Sequence, residues 1–252
     1  MTSGGTSGSS VVLLLHGLGT TGAVWQGVER ELASHKGVTT FAPDLAGHGS
    51  CSADAPYTLE KLAARVARDI PRHQRLLVVG HSLGGYIALA LAGGEFGIQP
   101  SGAMSIGAKL SFSEVERARG ADLASKPVRW FTTRAEAEER YRLVAGLPIA
   151  RFPEACCIER GVAAGENGFR LAADPAVFGI VVPSFTQLLE SARCPVRILR
   201  GERDALVSRG ECAALGLRAE ELPGLGHNAQ VEDPGRVAKI IGEHYLGEWN
   251  YC

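Results

Sequence analysis

The chain is short of net charge. Its 26 Lys and Arg stand against 27 Asp and Glu, a formal net charge of −1 at pH 7. A balance this even supplies no field to draw in nucleic acid or an anionic membrane surface, and neither is expected as a partner. Long hydrophobic runs are missing too. Nothing approaches the ~20 consecutive apolar residues of a membrane span, and residues 86–92, the longest small-and-apolar stretch, read as a buried helix. Residues 1–10 are rich in Ser, Gly and Thr and lack a basic segment, so a flexible tail is expected there and no secretion signal. The cysteines (Cys51, Cys156, Cys157, Cys194, Cys212 and Cys252) follow no framework spacing, which points to free thiols in a reducing, cytoplasmic setting. No histidine pair has metal-ligand spacing, and neither a metal nor a cofactor is expected.

What is present is an ordinary globular composition, 45% hydrophobic and 21% charged, in 252 residues that suit one domain with an insertion. Strand-like runs fall at 11–15, 38–43, 75–80, 102–106, 195–200 and 218–222. Between them lie helical patterns: 25–34, a helix capped by Thr58 with Leu59, Leu62, Val66 and Ile70 on one face, and 82–91. Asp233 caps a last helix with Pro234 at its first position. Such alternation predicts an α/β fold, a doubly wound and mostly parallel sheet of about six strands. Residues 111–183 break the rhythm. They show no strand-like run and two capping boxes, Ser111 with Glu114 and Thr133 with Glu136. A helical cap over 111–183 is therefore expected, inserted into a core of 11–110 and 184–252. Ten Lys and Arg balance ten Asp and Glu over 111–185, so composition gives no electrostatic hint about what the cap covers.

Gly80-His81-Ser82-Leu83-Gly84 matches the G-x-S-x-G pattern in which a serine sits on a sharp strand-to-helix turn. Flanking glycines let a strained backbone pass close to its neighbours, and the hydroxyl stands above the sheet. Residues 75–79 supply the strand and 83–91 the helix that the pattern requires.

Four segments together resemble the α/β-hydrolase superfamily: His16-Gly17-Leu18-Gly19, Asp44-Leu45-Ala46-Gly47-His48-Gly49, the serine motif, and Pro223-Gly224-Leu225-Gly226-His227. The resemblance implies Ser82 as nucleophile, His227 as base and an acid after the fifth strand. There Asp204 is favoured over Glu202, and Asp44 resembles the family's structural loop aspartate. It also implies an oxyanion hole from the backbone N–H groups of Leu18 and Leu83. Most members carry two further strands ahead of the first loop motif, where this chain has ten residues. The expected activity is cleavage of a small or medium carboxylic ester or lactone, with C–C bond hydrolysis of a β-diketone-like compound as runner-up. Phe131, Tyr141, Val144 and Phe152 are the cap residues expected to line a pocket for that small-molecule substrate. The oligomeric state is left open.

Two patterns point elsewhere. Gly17-Leu18-Gly19-Thr20-Thr21-Gly22 is a literal G-x-G-x-x-G with Asp44 closing the next strand, and Tyr57-x-x-x-Lys61 mimics a dehydrogenase pair. An NAD(P)-dependent oxidoreductase would leave the serine motif and the Gly226-His227 loop without a purpose. An aspartate nucleophile, as in dehalogenases and epoxide hydrolases, is ruled against by Ser82.

Overall fold

The computed structural model describes residues 10–52, 55–71, 75–147 and 155–245. The chain runs β1 (Ser10–Leu15), α1 (Gln26–Leu32), β2 (Val38–Phe41), α2 (Leu59–Asp69), β3 (Arg75–His81), α3 (Leu83–Ala92) and β4 (Gly102–Ile106). After β4 come α4 (Glu114–Ala124), α5 (Arg134–Ala145), α6 (Ala155–Glu159), β5 (Val162–Gly165), β6 (Gly168–Leu171) and α7 (Phe185–Ser191). The chain then returns through β7 (Val196–Gly201), α8 (Arg209–Ala214), β8 (Ala219–Leu222), α9 (Ala229–Glu232) and α10 (Pro234–Tyr245).

Six strands form one sheet in the order β2-β1-β3-β4-β7-β8, and every pairing is parallel. Parallel strands need helical crossovers, so both faces of the sheet are covered and the central strands β1, β3 and β4 are buried almost throughout. In β1, Val12 and Leu14 join one core cluster with Trp25, Val28, Val237 and Ile241. Val11, Leu13 and Leu15 join the other with Leu62, Val66, Ile87 and Leu91. The period of two along one strand thus packs α1 and α10 below and α2 and α3 above. The strand order reverses between β1 and β3, and in open sheets of this kind ligands bind beyond the strand ends at that point.

The expected caps at Thr58 and Asp233 are present: Thr58 Oγ1 accepts from the N–H of Lys61 (3.2 Å), and Asp233 Oδ1 from that of Arg236 (3.0 Å). The Thr133–Glu136 capping box also forms. The other box forms two residues later than expected, between Ser113 and Glu116. In Ser-Phe-Ser-Glu-Val-Glu two overlapping boxes compete. Ser111 is drawn away by Glu211, which accepts its hydroxyl at 2.5 Å, while Lys109 meets Glu116 at 2.7 Å. A larger correction concerns the expectation of no strand between 111 and 183. β5 and β6 pair as an antiparallel hairpin, and Phe131 bridges to Phe169 beside it. Each strand has four residues, too few to show an alternation among glycines and alanines.

Candidate active site

Ser82 stands where β3 turns into α3, with φ 53° and ψ −115°. Among the described residues no other non-glycine has a positive φ. Such a conformation costs about 1–3 kcal/mol and persists only where the surroundings impose it. They do so here. A Cβ on Gly80 would lie 1.9 Å from the carbonyl oxygen of Gly84, and one on Gly84 2.2 Å from that of Leu15. Strand β3, helix α3 and strand β1 are too close at these points for any side chain. The N–H of Ser82 donates to Ile106 O of the neighbouring strand at 2.9 Å. Leu83 opens α3, so its N–H has no acceptor within the helix and carries the positive end of the helix dipole.

Leu15 pairs with Gly80, which brings the loop after β1 against the serine turn. A Cβ on Gly17 would lie 3.2 Å from Ser82 Cβ. Two buried histidines hold this loop. His16 Nε2 accepts from the N–H of Leu45 (2.9 Å), and its Nδ1 donates to Gly17 O (2.8 Å). His48 Nε2 accepts from the N–H of Gly19 (3.1 Å), and its Nδ1 donates to Ala46 O (3.2 Å). Each ring must therefore be neutral, with its proton on Nδ1. Burial pushes His16 down to about 4 and, with His16 as neighbour, His48 down to about 3. The two rings clamp the residues on either side of Leu18 to the loop after β2.

Asp204 and His227 meet at the ends of β7 and β8. His227 Nδ1 donates to Asp204 Oδ2 at 3.0 Å, and Asp204 Oδ1 accepts the N–H of Leu206 at 2.8 Å. Asp204 is 4% exposed. In the neutral ring this leaves the lone pair on Nε2. Gly107, at the end of β4, makes room for the pair: a Cβ there would lie 3.2 Å from Asp204 Oδ2 and 3.3 Å from His227 Nδ1. Two further contacts escaped the sequence. His81, inside the serine motif, donates from Nε2 to His227 O at 2.9 Å, and burial with His227 nearby keeps it well below the usual histidine range. Asn228, 1% exposed, donates to Ala145 O (3.2 Å) and Gly146 O (2.8 Å), tying the His227 loop to the end of α5. An asparagine beside the candidate base was the only signal, and asparagines are common in loops.

The competing patterns are occupied otherwise. Asp44 accepts from the N–H groups of Gly22 and Ser50 and the Ser50 hydroxyl, each at 2.9 Å, and pairs with Arg160 at 3.1 Å. Burial works to raise its pKa, but these bonds outweigh that and hold it low. Glu202 accepts from the N–H of Gly224 and stays at the surface. Tyr57 donates to Asp174, and Lys61 reaches back to Pro56 O.

A cavity of about 830 Å³ lies among α4, α5, β6 and the turn Pro175–Gly179. Phe131 and Val144 line it, joined by Leu171 and Phe178. Tyr141 does not. It belongs to the buried stripe Ala137, Tyr141, Ala145 of α5, and its ring fills the space over Gly161. Phe152 lies outside the described residues. Two of its lining residues also flank the loop after β1: a Cβ on Gly19 would lie 3.1 Å from Val144 and 3.4 Å from Phe178.

Residues 12–240 match the model of the alpha/beta hydrolase family. The chain belongs to that family. Its fold is shared by the thioesterase domain of the curacin biosynthetic pathway, at TM-score 0.74 and 24% identity over 94% of this chain and 92% of that one. E-2-(acetamidomethylene)succinate hydrolase is similar to the same degree, with TM-score 0.74 and 22% identity over 94% and 91%. Among curated proteins, pimeloyl-[acyl-carrier protein] methyl ester esterase of Salmonella newport is 38% identical over 85 residues, 34% of this chain and 32% of that protein. An uncharacterised protein of Mycobacterium tuberculosis is 38% identical over 86 residues, 32% of this chain and 24% of that protein. The matched segments thus span about a quarter to a third of those curated relatives. No helix of the described residues is long and apolar enough to cross a membrane.

Proposed function

We propose that this chain is a serine hydrolase that cleaves a small or medium carboxylic ester through an acyl-enzyme on Ser82. One observation carries the reading: a serine forced to φ 53° between β3 and α3, beside strand ends where a buried aspartate grips a histidine at 3.0 Å. Strain of that kind, maintained by three backbones in contact, marks a position kept for chemistry.

In this reading His227 Nε2 takes the proton from Ser82 Oγ as the oxygen attacks the ester carbonyl. Asp204 fixes the tautomer and stabilises the imidazolium. The N–H groups of Leu18 and Leu83 receive the oxyanion, and the His16 and His48 clamps keep the first of them in place without reorganisation. The imidazolium then protonates the leaving alcohol, and water attacks the acyl-enzyme with His227 again as base. Residues 111–183 form the cap over this edge, with Phe131 and Val144 offered to the acyl chain. Free thiols at Cys51, Cys194 and Cys212 agree with a cytoplasmic setting.

The test is hydrolysis of a p-nitrophenyl ester series by the wild-type protein and by Ser82→Ala. Turnover by the wild type and at least a 10³-fold loss in the folded variant are expected. Equal turnover by both would end the serine-hydrolase reading.

A further inference from the structure

The cavity beside Gly19 is strongly asymmetric in charge. Ten cations and ten anions are spread over 111–185, yet among the described residues Arg119, Lys126, Arg129 and Arg140 line the cavity and no carboxylate does. Lys126 is partnered by Asp122 at 2.7 Å, and the Arg129 guanidinium lies 4.8 Å from the centre of the Phe131 ring. Arg119 and Arg140 have no carboxylate within ion-pair distance among the described residues. Below these cations the walls are apolar, built from Leu123, Val144, Leu171 and Phe178. Arg119 and Arg140 are exposed at the mouth of the cavity, open to an arriving ligand, and a guanidinium fork fits a carboxylate or phosphate bidentately.

The cavity lining stops short of Ser82 and His227. The way between them runs along the loop after β1, where an added Cβ on Gly19 would lie 3.1 Å from Val144 and 3.4 Å from Phe178, and one on Gly17 3.2 Å from Ser82 Cβ. We infer that the cavity takes the acyl chain of a substrate whose far end is anionic, a carboxylate or a phosphate held by Arg119 and Arg140. The chain would run from Ser82 past Leu18, between Val144 and Phe178, to the cations. This rests on the ester-hydrolase reading and names its substrate class. An uncharged acyl chain would leave the cations of the rim unmatched.

The experiment compares kcat/KM for mono-p-nitrophenyl suberate with that for its neutral methyl ester, and adds p-nitrophenyl 8-phosphonooxyoctanoate against p-nitrophenyl 8-hydroxyoctanoate, so that the anion sits at the far end of the acyl chain in both pairs. The proteins are the wild type, the double variant Arg119→Gln/Arg140→Gln, and Arg117→Gln, which removes one charge from the same helix without lining the cavity. At low salt the wild type is expected to prefer one anionic member by roughly tenfold or more. The double variant should lose most of that preference and Arg117→Gln should keep it. Preference in the suberate pair assigns a carboxylate, and in the 8-phosphonooxyoctanoate pair a phosphate. No preference in either pair, one that survives the double variant, or one lost equally in Arg117→Gln overturns the inference. If nothing is hydrolysed, the ester-hydrolase reading has failed, and the cavity is then judged by calorimetric binding to Ser82→Ala. Monomethyl suberate binding about tenfold tighter than dimethyl suberate supports the anion site, and equal binding overturns it.

Discussion

At position 82 the backbone holds a side-chain-bearing residue where glycine would be at ease, so removing the side chain should do two opposite things. Ser82→Gly relieves about 1–3 kcal/mol of strain and costs roughly 0.5–1 kcal/mol in added freedom of the unfolded chain. The expected outcome in denaturant unfolding is a variant more stable than Ser82→Ala by about 1 kcal/mol, with ester turnover lost in both. A Ser82→Gly less stable than Ser82→Ala would mean that the turn is not strained. The two candidate acids separate in the same way. Asp204→Asn should keep its fold and lose about 10³–10⁴-fold in turnover, because an amide cannot both accept from Nδ1 and stabilise the imidazolium. Asp44→Asn should cost mainly stability, about 1–3 kcal/mol, since its carboxylate satisfies two backbone N–H groups and a hydroxyl. Reversed results in paired kinetics and unfolding would exchange the two roles. At this scale much was legible: Asp204 and His227, placed side by side in the structure, come from loops whose glycines mark them in the sequence. The His81 and Asn228 contacts were not, because each depends on which backbone carbonyl a distant element presents.

Among elements, the junction between α5 and the loop after β8 is where the residues above the sheet meet its chemistry. Asn228 caps two carbonyls at the end of α5 from a buried position. Asn228→Ala should destabilise by about 1–3 kcal/mol through the unsatisfied carbonyls, and turnover should fall further than stability explains as His227 loses its anchor. Unchanged turnover at a temperature where the variant is folded would show that the tie does not position the base. Val144→Ala and Phe178→Ala, on the wall beside Gly19, should alter the ranking of acyl chain lengths by about 1–3 kcal/mol per lost contact. A ranking unchanged in both would move the acyl site away from this cavity. The strands of the main sheet could be read from the sequence because runs such as Leu76–Val79 are buried on both faces and need no alternation. The β5–β6 hairpin could not: its pairing with the rest is set by one bridge, Phe131 to Phe169, formed between segments far apart in sequence. Tyr141 was misassigned for a related reason. The helical period of α5 was clear, but which of its stripes faces the core depends on Gly161 lying opposite.

For the whole molecule, three buried neutral histidines make stability depend on pH. His16 and His48 titrate near 4 and 3 when folded and near 6.5 when unfolded, and His81 is held well below its ordinary value. Between those limits the unfolded chain binds more protons than the folded one, so stability is full above pH 6.5 and is lost as pH falls toward 4. His16 alone accounts for something on the order of 3 kcal/mol of that loss. Denaturant midpoints measured from pH 7.5 to 4.5 should fall steadily below 6.5, and a flat profile would mean that the histidines are not clamped as neutral rings. The balanced composition gave no sign of the cationic cavity, since charge placement emerges only when α4 and α5 are folded over the sheet. Whether Ser82 is the activated nucleophile is decided most directly by a fluorophosphonate probe read by mass spectrometry. The tryptic peptide from Leu76 to Lys109 holds three serines, Ser82, Ser101 and Ser105, so fragmentation separates them. Label on Ser82 alone, absent from Ser82→Ala and slowed by about 10³-fold in Asp204→Asn, is the expected result. Label on another residue, or equal labelling of the Ser82→Ala protein, would overturn the assignment.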